Sequence, residues 1–185
     1  QFKIQKMTEP HNHQDIEISK VEFTRPSWDE YFLKIAMLVS ERSTCRRRAA
    51  GAVLVRDKKI ISTGYNGAPA GMKDSLELGC KRTELGIKSG EQKHICRAIH
   101  AEANAIIQAA LHGITTKGAV LYSTTDPCIT CAKMLINAGI TKVISFQDRS
   151  DIEDEFKLVF DECGIEYIRL PKPNTDINYR EYKRV

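Results

Sequence analysis

Long apolar runs are missing from this chain: no stretch of its 185 residues approaches the roughly 20 apolar positions that a membrane-crossing helix requires. A soluble protein without a membrane partner is expected. The opening stretch, QFKIQKMTEPHNHQDIEISK, has neither the apolar segment nor the small-residue cleavage site of a secretory leader, so a reducing, cytoplasmic setting is expected. An excess of one charge is also lacking. Lysine and arginine number 28 against 24 acidic residues, a net charge of +4, whereas a nucleic-acid binder usually carries a stronger and clustered excess. Nucleic acid is therefore not the expected partner, and the balance leans only weakly toward an anionic ligand. The one clear basic run is Arg46, Arg47 and Arg48. No repeat or low-complexity tract occurs. Histidine is scarce, at five residues, and the six cysteines of a chain of this size and setting read as metal ligands or core residues rather than as a disulfide framework.

What is present suits one domain. Hydrophobic residues make up 42% and charged residues 28%, the composition of a globular protein large enough to enclose a core and too short to divide comfortably. The domain is expected over 26–171. Residues 1–25 read as an N-terminal arm or appended remnant, with room for a short strand in IEISKVEF, and 172–185 as a polar tail. Ser27 can cap a helix over WDEYFLKIAMLVSER, which places Tyr31, Ile35, Leu38 and Val39 on one face. GAVLVRDKKIISTGYNG reads as a β-hairpin. Residues 68–99 are irregular, and a loop that long normally has a function or a cross-link. Then come a helix over AEANAIIQAALHG, a strand in AVLYST, a helix over PCITCAKMLINAG, a strand in TKVISF, a helix over DIEDEFKLVFDECG and a strand in IEYIRL. The glycines at 113 and 139 are expected helix stops. Strands alternating with helices imply parallel crossovers. The expected fold is a three-layer α/β/α arrangement, a five-stranded mixed sheet with helices on both faces.

The chemistry concentrates in two short stretches, HAEANAI and DPCITCAKMLINAGI. Cys128 and Cys131 stand three apart and share a helix face, while the opening turn of a helix offers unpaired N–H groups and a positive dipole end that favour thiolate. With His100 they fill three corners of a tetrahedron, the arrangement of a catalytic zinc whose fourth corner takes water. The alternative is two ordinary helix starts and a redox or chance CxxC pair. His100, Glu102, Pro127, Cys128 and Cys131 together spell H-x-E…P-C-x-x-C, the signature of zinc-dependent nucleobase deaminases. In such a site zinc lowers the pKa of water from about 16 to about 7. Glu102 then takes the proton of the water that attacks C4, delivers it to N3 of a cytosine ring and helps protonate the departing ammonia.

Over about 28–170 the chain resembles the deoxycytidylate (dCMP) deaminases of the cytidine-deaminase superfamily, through RSTCRRRAAGAVLV, IISTGYNGAP, CRAIHAEANAI and DPCITCAKMLINAGI. The resemblance implies a cytidine-deaminase-like fold and hydrolysis of dCMP to dUMP for thymidylate synthesis. It also implies a homo-oligomer, usually a hexamer, regulated by dCTP and dTTP with magnesium. Asn66 is implied as a contact to the sugar-phosphate part of the nucleotide, against the alternative of a plain turn. Ala101 joins the substrate-binding set. Arg47 or Arg48 can clamp phosphate, or both can belong to a solvated basic run. Tyr122 can stack on the pyrimidine or serve as a core tyrosine. Cys45, Cys80, His94 and Cys96 are the residue types of a closed zinc site, and related deaminases bind a second, structural zinc in these motifs; the alternative is reduced cysteines and a surface histidine. Cys163 is expected in the core. Competing readings are a deaminase of dCTP, a sister enzyme acting on tRNA adenosine, cytidine or a riboflavin precursor, and a catalytically silent zinc scaffold that holds the fold or binds nucleic acid.

Overall fold

The first helix of the computed structural model, which describes residues 25–146 and 155–174, starts where its cap begins. The Ser27 side chain accepts a hydrogen bond from the Glu30 N–H at 3.1 Å, and α1 runs over Trp28–Ser40. Its buried residues Phe32, Leu33, Ala36 and Met37 recur at helical spacing and form the inward stripe. β1 (Gly51–Arg56) and β2 (Lys59–Tyr65) follow as a hairpin. Its turn residues Asp57 and Lys58 both take positive φ, 52° and 59°, which matches the twist of a two-residue hairpin.

The irregular segment carries two single-turn helices, α2 (Ser75–Leu78) and α3 (Lys81–Glu84), and a 3-10 turn at Lys93–Ile95. The sequence shows no periodicity for elements this short. The remainder follows the expected order: α4 (Ala101–Leu111), β3 (Val120–Ser123), α5 (Ile129–Asn137), β4 (Lys142–Ser145), α6 (Glu155–Cys163) and β5 (Glu166–Arg169). Pro127 precedes α5 rather than lying in its first turn, because Cys128 is the N-cap. The proposed N-terminal arm through residue 24, the strand suggested within it and the tail from 175 lie outside the described residues. No helix among the described residues is long and apolar enough to cross a membrane.

The five strands lie in the order β2-β1-β3-β4-β5, with β1 antiparallel to both neighbours and β3, β4 and β5 parallel. The period of two along each strand assigns side chains to two cores. Ala52, Leu54, Leu121 and Val143 pack with residues of α4, α5 and α6, including Ala105, Leu135 and Phe160. Val53, Val55, Tyr122 and Ile144 pack on the other side with Phe32, Leu33 and Met37 of α1. This is the three-layer mixed-sheet arrangement that the sequence leads one to expect.

Two glycines set how closely these layers approach. A Cβ on Gly51 would stand 2.1 Å from the Ala36 carbonyl oxygen, and one on Gly64 would stand 2.3 Å from both the Ala101 oxygen and the Ala105 nitrogen. Backbone rests on backbone at both places. Gly64 pairs with Ala52, the residue after Gly51, so α1 and α4 touch opposite sides of one corner of the sheet.

Candidate metal centre

α4 and α5 begin in the same way. His100 is the N-cap of α4 with extended backbone (φ −70°, ψ 154°), and Cys128 is that of α5 (φ −77°, ψ 164°). Serine, threonine, aspartate or asparagine ordinarily stand there and accept a hydrogen bond from the first turn. Neither His100 nor Cys128 makes that bond. Their side chains meet each other instead: the His100 Nδ1 lies 3.4 Å from the Cys128 Sγ and 3.5 Å from the Cys131 Sγ. Three residues of chain return Cys131 to the side of Cys128. The three donor atoms all lie within 4.8 Å of one another, and each cysteine is 3% exposed.

This donor set fits zinc. An imidazole nitrogen and two sulfurs are three ligands of a tetrahedral site, and sulfur does not suit calcium or magnesium. The Cys128 thiol is held well below the usual thiol range, first by its hydrogen bond with the Cys131 side chain and further by the bond to and charge of His100, although burial opposes this. The N-terminal end of α5 works in the same direction. Glu102, two residues from His100 in the first turn of α4, is 2% exposed. A carboxyl so withdrawn from water, beside a metal-donor residue, serves proton transfer better than solubility. Ala101, between them, is fully buried with its carbonyl oxygen seated over Gly64.

A second constellation adjoins Cys128 and was not read from the sequence. Asp126, 1% exposed, accepts hydrogen bonds from the Ser145 hydroxyl and, at 2.6 Å, from the Tyr167 hydroxyl. Its other carboxylate oxygen accepts a charge-assisted bond from the Arg169 guanidinium. Burial, with the Asp126 bond adding to it, pushes the Tyr167 hydroxyl up to about 12, and the Asp126 bond raises Arg169. The available signal was weak: an aspartate two residues ahead of a candidate ligand, and tyrosine and arginine two apart on one face of a strand.

The remaining candidates fall in several places. Asn66 is 8% exposed; its Oδ1 accepts from the Ala50 N–H at 2.8 Å and its Nδ2 donates to the Arg48 carbonyl at 2.8 Å, which braces the entry to β1. Arg46 donates to the Leu76 carbonyl at 2.7 Å and Arg47 to the Ile87 carbonyl at 3.0 Å, so the basic run fastens the 68–99 segment to the loop after α1. Tyr122 departs from the stacking role considered for it. Strand alternation turns Leu121 toward α4 and α5 and Tyr122 toward α1, where its ring lies 5.1 Å from Phe32 and its hydroxyl donates to Asp29 at 2.7 Å. It is a core tyrosine, with its hydroxyl pKa raised by burial and by Asp29. Cys163 is exposed rather than in the core, because it ends α6 on the outward side.

Cys45, Cys80 and Cys96 are partly buried, and His94 is exposed. Burial is the main reason that the Cys45 thiol is raised, and its neighbours Cys96 and Cys80 raise it further. For Cys80, burial pushes upward, but hydrogen bonds from Thr83 and Arg82 and the charge of Arg47 outweigh it and lower the thiol. Among the described residues, no second group of three donors closes to within 4.8 Å as the His100 group does.

A mixed sheet between helical layers, with one histidine and two cysteines meeting at the starts of adjacent helices, defines a metal-binding α/β protein of the zinc-deaminase class. Residues 26–147 match the family described as the cytidine and deoxycytidylate deaminase zinc-binding region, and the chain belongs to that family. It is 41% identical over 153 residues to the deoxycytidylate deaminase of Schizosaccharomyces pombe and 38% identical over 135 residues to that of Saccharomyces cerevisiae. These matches cover 83% and 73% of this chain but 47% and 42% of the relatives, so the chain spans about half the length of the curated relatives it matches. A crystal structure of dCMP deaminase from the cyanophage S-TIM5 in complex with dCMP and dUMP is similar at a TM-score of 0.65 and 29% identity, over 80% of this chain and 100% of that one.

Proposed function

We propose that residues 26–171 form a catalytic domain that hydrolyses dCMP to dUMP and ammonia, with His100, Cys128 and Cys131 holding zinc and Glu102 carrying protons. The observation that carries this reading is the meeting of one imidazole and two buried sulfurs at paired helix starts, with a buried carboxylate in the same turn as the histidine. The deaminase names of both yeast relatives and the dCMP and dUMP in the cyanophage structure support the substrate. Zinc, when bound, supplies the Lewis acidity that makes a water acidic near neutral pH.

Glu102 takes one proton from that water and passes it to N3 of the cytosine ring while the water oxygen bonds to C4. It then relays a proton to the exocyclic nitrogen, so that the C4–N bond breaks and ammonia leaves; water and dCMP are consumed in equal number. A glutamate suits the shuttle, since glutamine cannot carry the proton and aspartate is a methylene shorter. Ala101 lies between donor and shuttle and brings its backbone to the base. Asn66 acts toward the sugar-phosphate part by holding the 48–50 backbone in place. The phosphate contact falls to Arg47 or Arg48, beside the backbone that Asn66 holds.

The same reading includes a second zinc drawn together from Cys45, Cys80, His94 and Cys96, a homo-oligomer of the hexameric kind, dCTP and dTTP as effectors with magnesium, and a cytoplasmic setting. Ammonia release with dCMP, dCTP, cytidine and tRNA, measured beside zinc content, tests it. The expected result is preferred turnover of dCMP; turnover confined to cytidine and tRNA would overturn the assignment.

A further inference from the structure

The turn between β3 and α5 carries a metal donor, and the structure holds that turn at two points. At its start, the Thr124 N–H donates to the Gly51 carbonyl and the Thr124 hydroxyl accepts from the Gly51 N–H, both at 3.0 Å, which ties it to β1. At its end the tie is Asp126, whose carboxylate reaches β4 and β5 through Ser145, Tyr167 and Arg169. Pro127 then leads directly into Cys128 and has no N–H with which to make a further tie. Arg169 is the least replaceable partner. Its guanidinium addresses both carboxylate oxygens, with Nη2 on Oδ2 and Nε 3.5 Å from Oδ1, while Nε also reaches the Tyr167 hydroxyl at 3.2 Å. A planar fork fixes direction as well as distance, which a lysine ammonium does not.

We propose that Asp126 and Arg169 are a positioning pair for the metal centre: they lock the turn before Cys128 onto the last two strands and thereby set where the Cys128 and Cys131 sulfurs stand relative to His100. As positioning residues they act through the turn that carries Cys128. This rests on the reading above that His100, Cys128 and Cys131 hold zinc. The Arg169 side chain is 31% exposed, so its replacement by a polar residue keeps the fold reachable, whereas the Asp126 side chain is 2% exposed.

The test compares Arg169→Gln, Arg169→Lys and the double variant Asp126→Asn/Arg169→Gln with the parent full chain. The readouts are Zn2+ affinity by competition with a chelator, the thiolate-to-metal absorption of the Co2+ form, the Tm of the metal-free protein, and kcat and KM for dCMP. Arg169→Gln is expected to weaken metal binding about tenfold or more, as removal of supporting contacts around metal ligands does. It should also shift the Co2+ spectrum and lower kcat with little change in KM. Arg169→Lys should recover part of the affinity. The double variant, which no longer strands a buried carboxylate, should recover Tm but leave metal affinity weakened. A lowered Tm with parental metal affinity and an unchanged Co2+ spectrum would make the pair a plain structural brace and overturn the proposal. If Arg169→Gln does not fold, the lysine and double variants carry the same comparison. Cys128→Ser serves as the control: if it retains parental affinity, the metal assignment itself fails, a different result from failure of the positioning pair.

Discussion

The two histidine–cysteine sets differ in what carries them. His100, Cys128 and Cys131 belong to the first turns of α4 and α5, helices of 11 and nine residues packed on the sheet over Ala105, Leu121 and Leu135. Cys45, Cys80, His94 and Cys96 sit in a loop, at the starts and ends of single turns, and in a segment with no residue in either core. The first set is brought together by the hydrophobic core; the second is tied by side-chain bonds to carbonyls, such as those of Arg46 and Arg47. A site that must hold reacting groups to a fraction of an ångström is built on elements whose positions packing has already fixed.

Five changes test how far that difference extends. Cys128→Ser removes one of two sulfurs from the packed set and should abolish both zinc retention at that site and dCMP turnover, measured by metal content and ammonia release; parental turnover would erase the distinction between the sets. Glu102→Gln should separate chemistry from binding, lowering kcat by at least about 100-fold to 10,000-fold, the usual contribution of a positioned proton carrier, while zinc content stays at the parental level. Gly64→Ala pushes a Cβ into the backbone of the first turn of α4 and should cost about 1–3 kcal/mol or more, read as a fall in Tm, with weakened metal binding as well. The matched Gly51→Ala, against α1, should cost a similar amount of stability and weaken metal binding less, through the Thr124 tie alone. Cys45→Ser should remove one zinc per chain and lower Tm while turnover per retained catalytic zinc stays within a few-fold. If it abolishes turnover in protein that remains folded, the second set is part of the catalytic machinery after all.

Much of this was legible because it is local. The spacing of His100 and Glu102, that of Cys128 and Cys131, and the helix patterns following each are carried within a few residues, and they convert directly into side chains sharing a turn. The alternation of apolar strands and helices likewise gave the layer order. Contacts between distant segments were not legible. Asp126 and Arg169 are 43 residues apart, and nothing in either neighbourhood names the other. The basic run can be read from sequence as an anion clamp or as a solvated stretch, and neither reading carries the bonds of Arg46 and Arg47 to carbonyls 30 and 40 residues away. Tyr122 was open to two readings. The decisive fact is the parity of its strand: with Leu121 turned toward α4, its neighbour faces α1.

The absent side-chain caps at His100 and Cys128 have a thermodynamic consequence. Each residue turns its side chain toward the cluster instead of toward the free amides of its own helix, so two helix starts lack the usual latch at the place where an ion would be gripped. Occupancy by a metal fixes both starts together, and binding is thereby linked to the tightness of two secondary elements. Amide hydrogens in those turns should exchange with solvent more slowly in loaded protein, and the opening turns of α4 and α5 should loosen as a unit when a chelator strips the ion.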